Sequence, residues 1–271
     1  MTIELKDLAG YSLGNKVLEY DDRDVVLYAL SVGASSDELD LVYEKSLRTL
    51  PCYAAAMGLW AVEAAGELGA YDRNRSLHAS QNLVMHSTLP SSGPVATEGR
   101  IEAVWDKGKA ALIDIVVSSD QFTASYGIFL PGLGGWGGER GQSAPAQEDP
   151  VELSWSDTYT TSRDQATLYR LTGDRHPIHI DTAVARANGF DRPILHGLCT
   201  LGIAAKSLAA AAESHPTDLQ SLEARLAAPV MPGDAITTRA GVAANGALHF
   251  ESAVGETPVL KAGRALFAKK M

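Results

Sequence analysis

The chain repeats one order of elements on either side of a glycine-rich stretch, and this repeat constrains its fold more than any other feature. In the first half, Leu89-Pro90 precedes three runs typical of strands, at about 97–106, 110–118 and 122–130. In the second half, Met231-Pro232 precedes three more, at 235–243, 247–254 and 258–268. The two prolines stand about half the chain apart. The repeated order predicts duplication of one α+β unit.

A stretch from Gly132 to Pro150 separates the two repeats. It begins with five glycines within seven residues and continues with small and polar residues. A phosphate-binding loop would need a Gly-Lys-Ser/Thr ending or a Gly-x-Gly-x-x-Gly that opens a helix, whereas Glu139-Arg140 and a polar tail follow here. The stretch therefore predicts a linker over 132–150, between a first domain at 1–131 and a second at 151–271.

Each half also carries helix material before its strands. Four segments have helical character, at 22–32, 51–68, 162–172 and about 197–214. The last of these has small apolar residues on all sides, which indicates a buried helix wrapped by a sheet. The run 111–117 is rich in β-branched residues, and Asn245-Gly246 marks a hairpin turn. Together these patterns predict a long helix held by an antiparallel sheet in each half.

Composition and charge exclude several classes of protein. Apolar residues make up 45% of the chain and charged residues 21%, which is typical of a globular protein. No apolar run is long enough for a membrane span, no secretory signal precedes Tyr20, and the net charge of −10 argues against nucleic acid or an anionic membrane as partner. Cys52 and Cys199 are interpreted as reduced thiols. The ending Ala268-Lys269-Lys270-Met271 is unlike a Ser-Lys-Leu peroxisomal address, so we expect a cytoplasmic protein.

One segment of the second half concentrates the chemistry. Asp174, His176 and His179 lie within six residues, on a turn that Gly173 begins and Pro177 stiffens. A carboxylate and an imidazole that face one cavity can share a water and move its proton. The run 193–197 (Pro-Ile-Leu-His-Gly) then leads into the buried helix, whose first N–H groups suit a developing oxyanion. The pattern predicts addition or elimination beside a carbonyl.

Simpler interpretations of the same residues remain open. Asp174 and Asp181 are also the residue types that form turns and helix caps. His176 and His179 with an aspartate would supply metal ligands, but Pro177 lies between the two histidines, so they do not share a helical face. His196 is expected to orient the turn and Cys199 to fill the core. His78, His215 and His249 carry no functional signal.

The stretch 169–200 resembles the signature of the MaoC-like, type-2 enoyl-CoA hydratase family, which occurs in multifunctional peroxisomal β-oxidation enzymes and in bacteria. Its order, its spacing and the run Pro-Ile-Leu-His-Gly-Leu-Cys-Thr all match. The similarity continues through the first half, at 24–30, 42–44, 83–86, 106–108 and 129–138. The resemblance implies two hot-dog folds side by side, an α+β double hot-dog with its catalytic residues in the second fold, and a homodimer.

The resemblance also implies an activity and a set of site residues. The family adds water to trans-2-enoyl-CoA to give the (3R)-hydroxyacyl-CoA, with no cofactor beyond the coenzyme A of the substrate and no metal. Asp174 and His179 would be the acid–base pair, with His176 beside them, and the Gly197 N–H would polarise the thioester carbonyl. The residues implied to line the CoA or acyl site are His86, Ser87, Lys107 and Leu226.

Three positions depart from the family pattern. His176 stands where the family has Asn, Ser87 where it has Gly, and Leu226 where it has an aromatic residue. An imidazole can replace the amide only as the correct neutral tautomer. We expect nearby Asp174 to favour the charged form of His176, which would make activity pH-sensitive.

Two further functions and a division of labour follow from the sequence. A dehydratase that acts on carrier-protein thioesters would use the same residues in reverse, but would need a basic docking surface. A catalytically silent acyl-CoA-binding subunit is favoured only by His176. If Tyr28 corresponds to Tyr169, the first half has Gly33 and Ala34 where the second has Asp174. The first half is therefore predicted to bind substrate and the second to react.

Overall fold

The computed structural model describes residues 3–141 and 151–268. The strands of the first half are β1 Ser12–Tyr20, β2 Leu77–Met85, β3 Gly93–Asp106, β4 Ala110–Ser118 and β5 Phe122–Pro131. Those of the second half are β6 Trp155–Thr160, β7 Leu219–Leu226, β8 Ala235–Val242, β9 Leu248–Val254 and β10 Thr257–Phe267. The α-helices are α1 Asp22–Ser31, α2 Leu39–Val42, α3 Tyr53–Met57, α4 Trp60–Glu67, α5 Gln165–Tyr169, α6 Thr182–Ala187 and α7 Gly197–Ala211.

All ten strands form one antiparallel sheet whose order shows the duplication. The order is β1-β3-β4-β5-β2 in the first half and β7-β10-β9-β8-β6 in the second, so each half has the same topology. The halves join where β2 pairs with β7, from Ser80 opposite Arg225 to Val84 opposite Ser221. Each half wraps its sheet around its own central helices. The predicted double hot-dog is thus confirmed.

The central helices differ between the halves. Helix α7 runs unbroken for 15 residues and buries ten of them, because small side chains let the sheet approach from all sides. The sequence predicted one helix over 51–68, but the structure has α3 and α4 with an interruption at Gly58. A Cβ at Gly58 would collide with the Tyr126 hydroxyl, which donates a 2.7 Å hydrogen bond to the carbonyl of Ala55. The ring of Tyr126 therefore occupies the space where the two helices meet.

The two halves share a buried boundary. The rings of Tyr28 and Tyr169 are both fully buried and lie 6.1 Å apart between centroids. The Ser31 carbonyl accepts hydrogen bonds from Gln165 Nε2 at 2.6 Å and from Cys199 Sγ at 3.3 Å. Burial raises the pKa of the Cys199 thiol well above its usual range, so this cysteine is an unreactive core residue. The equivalent tyrosines thus meet at the centre of the molecule.

The first part of the predicted linker is attached to the first half. The Asp106 carboxylate, at the end of β3, accepts hydrogen bonds from the backbone N–H groups of Gly108, Gly135, Gly137 and Gly138. These bonds lower the pKa of Asp106 to about 2. Residues 132–141 therefore form an anchored loop, and 142–150 lie outside the described residues. No helix within 3–141 and 151–268 is long and apolar enough to cross a membrane.

Candidate active site

A cavity of about 750 Å³ lies between the two halves. The first half contributes α4 and the segment 71–78 that leads into β2, and the second half contributes 174–179, 187–198 and 226–230. The walls are mainly apolar, with Leu59, Val62 and Ile128 from the first half, and Phe190, Ile194 and Val230 from the second. Asp174 and His179 also line this cavity, so a carboxylate and an imidazole face a mainly apolar space.

Asp174 and His179 lie opposite each other at the cavity wall. His179 Nε2 and Asp174 Oδ2 are 3.9 Å apart, too far for a direct hydrogen bond and close enough for one water to contact both. His179 Nδ1 lies 2.9 Å from the carbonyl oxygen of Ile194. Since a carbonyl only accepts, Nδ1 carries the hydrogen of the neutral ring and Nε2 presents its lone pair to the cavity. Burial lowers the pKa of His179, against the opposing effect of Asp174, so the ring is neutral near pH 7.

His196 lies directly behind this pair. Its ring stacks on that of His179 with centroids 3.7 Å apart and planes 24° apart. Its Nε2 lies 3.1 Å from the backbone carbonyl oxygen of Asp174. Burial lowers the pKa of His196 to about 3. The ring is therefore a neutral donor that contacts both members of the pair.

The side chains of Asp174, His179 and His196 are also the types that bind metal ions. Asp174, His179 and His196 each offer a ligand atom, and these atoms lie within 4.8 Å of one another. Zinc ligands would need lone pairs converging on an ion at about 2.0–2.2 Å. Here the two imidazole rings stack, and the Nε2–H of His196 is committed to a carbonyl. The geometry fits an acid–base pair better than a metal centre.

His176 reaches the cavity but is not charged there. Its Nδ1 accepts a 3.3 Å hydrogen bond from the backbone N–H of Ile178, and its backbone N–H donates to Asp174 Oδ1 at 3.1 Å. Burial lowers the pKa of His176 more than Asp174 raises it, and Arg73 lowers it further. Asp174 does favour the charged form of His176, as expected, but desolvation outweighs this one carboxylate, so the net shift is toward the neutral ring.

Gly197 and Leu226 are neighbours at the cavity. Gly197 is the first residue of α7, where the N–H groups have no partner within the helix. A Cβ at Gly197 would collide with Leu226 Cδ2. A side chain at position 197 would therefore displace Leu226 from the start of α7. By contrast, Asp181 caps α6 through the N–H groups of Ala183 and Val184, as the structural interpretation expected.

Three predicted substrate-binding residues do not reach the cavity. His86 and Ser87 are exposed just beyond the end of β2, whereas the start of that strand lines the cavity. His86 Nε2 is 2.8 Å from Thr123 Oγ1. The Lys107 ammonium donates to the backbone carbonyl of Arg140. A role for these residues in substrate binding stays a prediction. None of the three lines the cavity.

The structure also brings to the cavity three residues that the sequence analysis did not select. His78 begins β2, and burial lowers its pKa to about 4. Glu63 lies on α4, where burial and the charge of Asp174 raise its pKa. Arg73 lies close enough to His176 to lower its pKa. All three come from the first half, so no pattern near the motif in the second half signals them.

Comparisons with known proteins agree with this architecture. Residues 18–129 match the family described as the MFE-2 hydratase 2 N-terminal domain, and residues 143–263 match the MaoC like domain. The chain is 35% identical over 260 residues to a probable enoyl-CoA hydratase 2 of Dictyostelium discoideum, covering 88% of this chain and 87% of that protein. It is 34% identical over 238 residues to the 3-hydroxyacyl-thioester dehydratase Y of Mycobacterium tuberculosis, covering 82% of each.

A solved structure extends the comparison to three dimensions. The MaoC-like dehydratase from Phytophthora capsici superposes with a TM-score of 0.86 at 26% identity. The superposition covers 98% of this chain and 97% of that one. Sequence and structure therefore agree over both halves. The chain belongs to the MaoC-like, type-2 enoyl-CoA hydratase family, in its two-hot-dog form.

Proposed function

We propose that the protein is a (3R)-specific 2-enoyl-CoA hydratase in which Asp174 and His179 move the proton. The observation that carries this assignment is the 3.9 Å separation of His179 Nε2 and Asp174 Oδ2 at an apolar cavity. An acid–base pair with this spacing holds one water between its two members. The apolar walls suit an acyl chain and exclude other water. The named relatives in this family are hydratases and dehydratases, which supports a hydro-lyase.

In this mechanism, one water supplies both groups that the double bond gains. The water hydrogen-bonds to the His179 Nε2 lone pair and to the Asp174 carboxylate. As its oxygen forms a bond to C3, its proton passes to one of these two groups and is then delivered to C2. The pair returns to its starting protonation state, so no cofactor takes part. The N–H at Gly197 would stabilise the enolate-like charge on the thioester oxygen.

The coenzyme A group needs cations near the cavity mouth, and the chain is acidic overall. Arg73 and Arg75 line the cavity, whereas the Lys107 ammonium is bonded to the Arg140 carbonyl. We therefore expect Arg73 and Arg75, ahead of Lys107, to contact the phosphates. Alanine at both arginines should raise KM for enoyl-CoA with kcat retained, and the matched Lys107→Ala variant should change KM less.

A hydration assay across a panel of trans-2-enoyl-CoA esters, with chiral analysis of the product, tests the assignment. The expected product is the (3R)-hydroxyacyl-CoA, and Asp174→Asn should abolish most of its formation. A (3S) product, or turnover that survives in Asp174→Asn, would refute the proposed chemistry. The acyl chain that gives the highest kcat/KM then defines the substrate.

Dehydration of a carrier-protein thioester is the second candidate. The relative named a 3-hydroxyacyl-thioester dehydratase favours it, because the same groups would catalyse the reverse reaction. The net charge of −10 argues against it, since a carrier protein would need a basic docking surface on the enzyme. Matched CoA and carrier-protein thioesters of one acyl chain separate the two, and we expect CoA to give the higher kcat/KM. A silent binding subunit would show affinity without turnover.

The homodimer and the cytoplasmic location stay predictions. Light scattering on the purified chain would measure the oligomer mass, and we expect a dimer. Fractionation of cells would test the location. Neither outcome alters the chemistry proposed for Asp174 and His179.

A further inference from the structure

His196 contacts both members of the proposed acid–base pair without lining the cavity. It is buried, with 1% of its surface exposed, between the rings of His179 and Tyr169. The His179 ring lies 3.7 Å away and nearly parallel, and the Tyr169 ring lies 4.8 Å away at 47°. A ring held on both faces has little freedom to turn. His196 is therefore a fixed support behind His179.

The hydrogen bond of His196 fixes which nitrogen carries its proton. Nε2 lies 3.1 Å from the Asp174 carbonyl oxygen, which only accepts, so Nε2 is the protonated nitrogen. Its Nδ1 has no hydrogen-bond partner among the described residues. One side chain thus links the backbone of Asp174 to the ring of His179. A shift in His196 would move both groups at once.

The stack also places two titratable rings side by side. Two parallel imidazoles at this distance cannot both be protonated, because like charges would meet in a desolvated space. Burial, followed by the proximity of His179, lowers the pKa of His196 to about 3. This neutral ring covers one face of the His179 ring. Desolvation is the main cause that lowers the pKa of His179.

We propose that His196 is a positioning residue that keeps His179 neutral and aligned with Asp174, a role that rests on the hydration chemistry proposed above. It holds the lone pair of His179 available as a base at neutral and mildly acidic pH. It also keeps Asp174 in place through the backbone carbonyl. His196 touches neither substrate nor water in this role.

Three substitutions separate stacking from hydrogen bonding. His196→Asn and His196→Gln keep a donor near the Asp174 carbonyl but remove the ring from the face of His179. Water then reaches that face, so the pKa of His179 should rise toward its ordinary value near 6.5. His196→Phe keeps an apolar ring on His179 but removes the donor. In His196→Phe the pKa of His179 should stay low while kcat falls, because the Asp174 carbonyl loses its partner.

The pKa of His179 can be measured without turnover, by NMR titration of its ring protons. In both amide variants we expect a higher pKa and a kcat that falls earlier as the pH is lowered, with KM nearly unchanged. The control is His215→Asn, which removes a histidine that pairs with Asp40 at 3.0 Å, away from the cavity. It should alter stability but leave the titration of His179 unchanged.

The outcomes distinguish this proposal from the proposed function. Absence of hydration activity in the wild type would refute the proposed function. The NMR titration would still show whether His196 sets the pKa of His179. If His179 titrates identically in wild type and in a folded amide variant, His196 does not set its charge and the proposal is overturned. Failure of one amide variant to fold leaves the other to decide. If both unfold, then His196→Phe decides: a raised His179 pKa with an apolar ring in place would contradict the role of stacking.

Discussion

The two halves of this protein have the same strand order, but Asp174 and His179, the proposed acid–base pair, both belong to the second half. If Tyr28 corresponds to Tyr169, then Gly33 stands where the second half has Asp174. At Gly33 the backbone has a φ of 90°, and a Cβ would approach Tyr159 Cε2 to 2.7 Å. The Tyr159 ring of the second half thus leaves no room for a side chain at Gly33. The first half instead supplies α4 and the segment 71–78 to the cavity wall. We therefore expect one copy to hold the substrate and the other to carry the chemistry.

The largest effect on kcat should come from substitution of Asp174 or His179. Asp174→Asn and His179→Ala should each lower kcat by at least about a hundredfold, because each removes a group that transfers the proton. Steady-state kinetics on folded, purified variants measures this. Circular dichroism and binding of a CoA ester serve as controls. Turnover like that of the wild type in either variant would remove that residue from the mechanism.

The six strands that follow Pro90 and Pro232 were predictable from the sequence, and four others were not. The six predicted strands bury apolar residues along their length, so their pattern is visible in the sequence. The missed strands are β1 and β6, at the two edges of the sheet, and β2 and β7, where the halves join. Edge strands are largely exposed, and joining strands are set by pairing with the other half, so local propensity does not signal them.

The candidate active site shows the same limit to what local sequence patterns predict. Asp174, His179 and Gly197 belong to one continuous motif, which made them visible in the sequence. His78 lies on β2, a strand that was not predicted, and it was given no role. His86 and Ser87 were instead selected beyond the far end of that strand. Residues that reach a cavity from the other half depend on tertiary pairing, which no local pattern contains.

The next effect concerns the start of α7 in the second half. Gly197→Ala should lower kcat by about tenfold or more, because the added methyl collides with Leu226 and moves the N–H away from the thioester oxygen. Truncation of the neighbour in Gly197→Ala/Leu226→Ala should recover part of the loss. Kinetics of the two single variants and the double variant measures the coupling. Simple additivity of the two losses would show that this contact does not control the N–H.

A substitution in the first half should change binding and leave chemistry intact. Val62 lies on α4 and lines the cavity, so Val62→Phe should narrow the acyl space. We expect KM for long-chain enoyl-CoA to rise by about tenfold, with kcat for short chains retained. Val84→Phe, at an exposed position of β2, is the matched control. Loss of kcat for all chains with unchanged affinity would contradict the division between the halves.

The smallest effect should come from His176, the residue that departs from the family pattern. Its pKa is lowered by burial, so the ring is neutral at neutral pH and becomes protonated only on the acid side. Protonation would end its acceptance of the Ile178 N–H at Nδ1 and place a cation beside the water. Activity should therefore fall as the pH drops through this lowered pKa, and the fall should be gentler in His176→Asn. Because His179 also titrates, the comparison of the two pH profiles, rather than either curve alone, isolates residue 176. Overlapping acid limbs would show that the imidazole only packs against the cavity, and that the second half tolerates either side chain beside its pair.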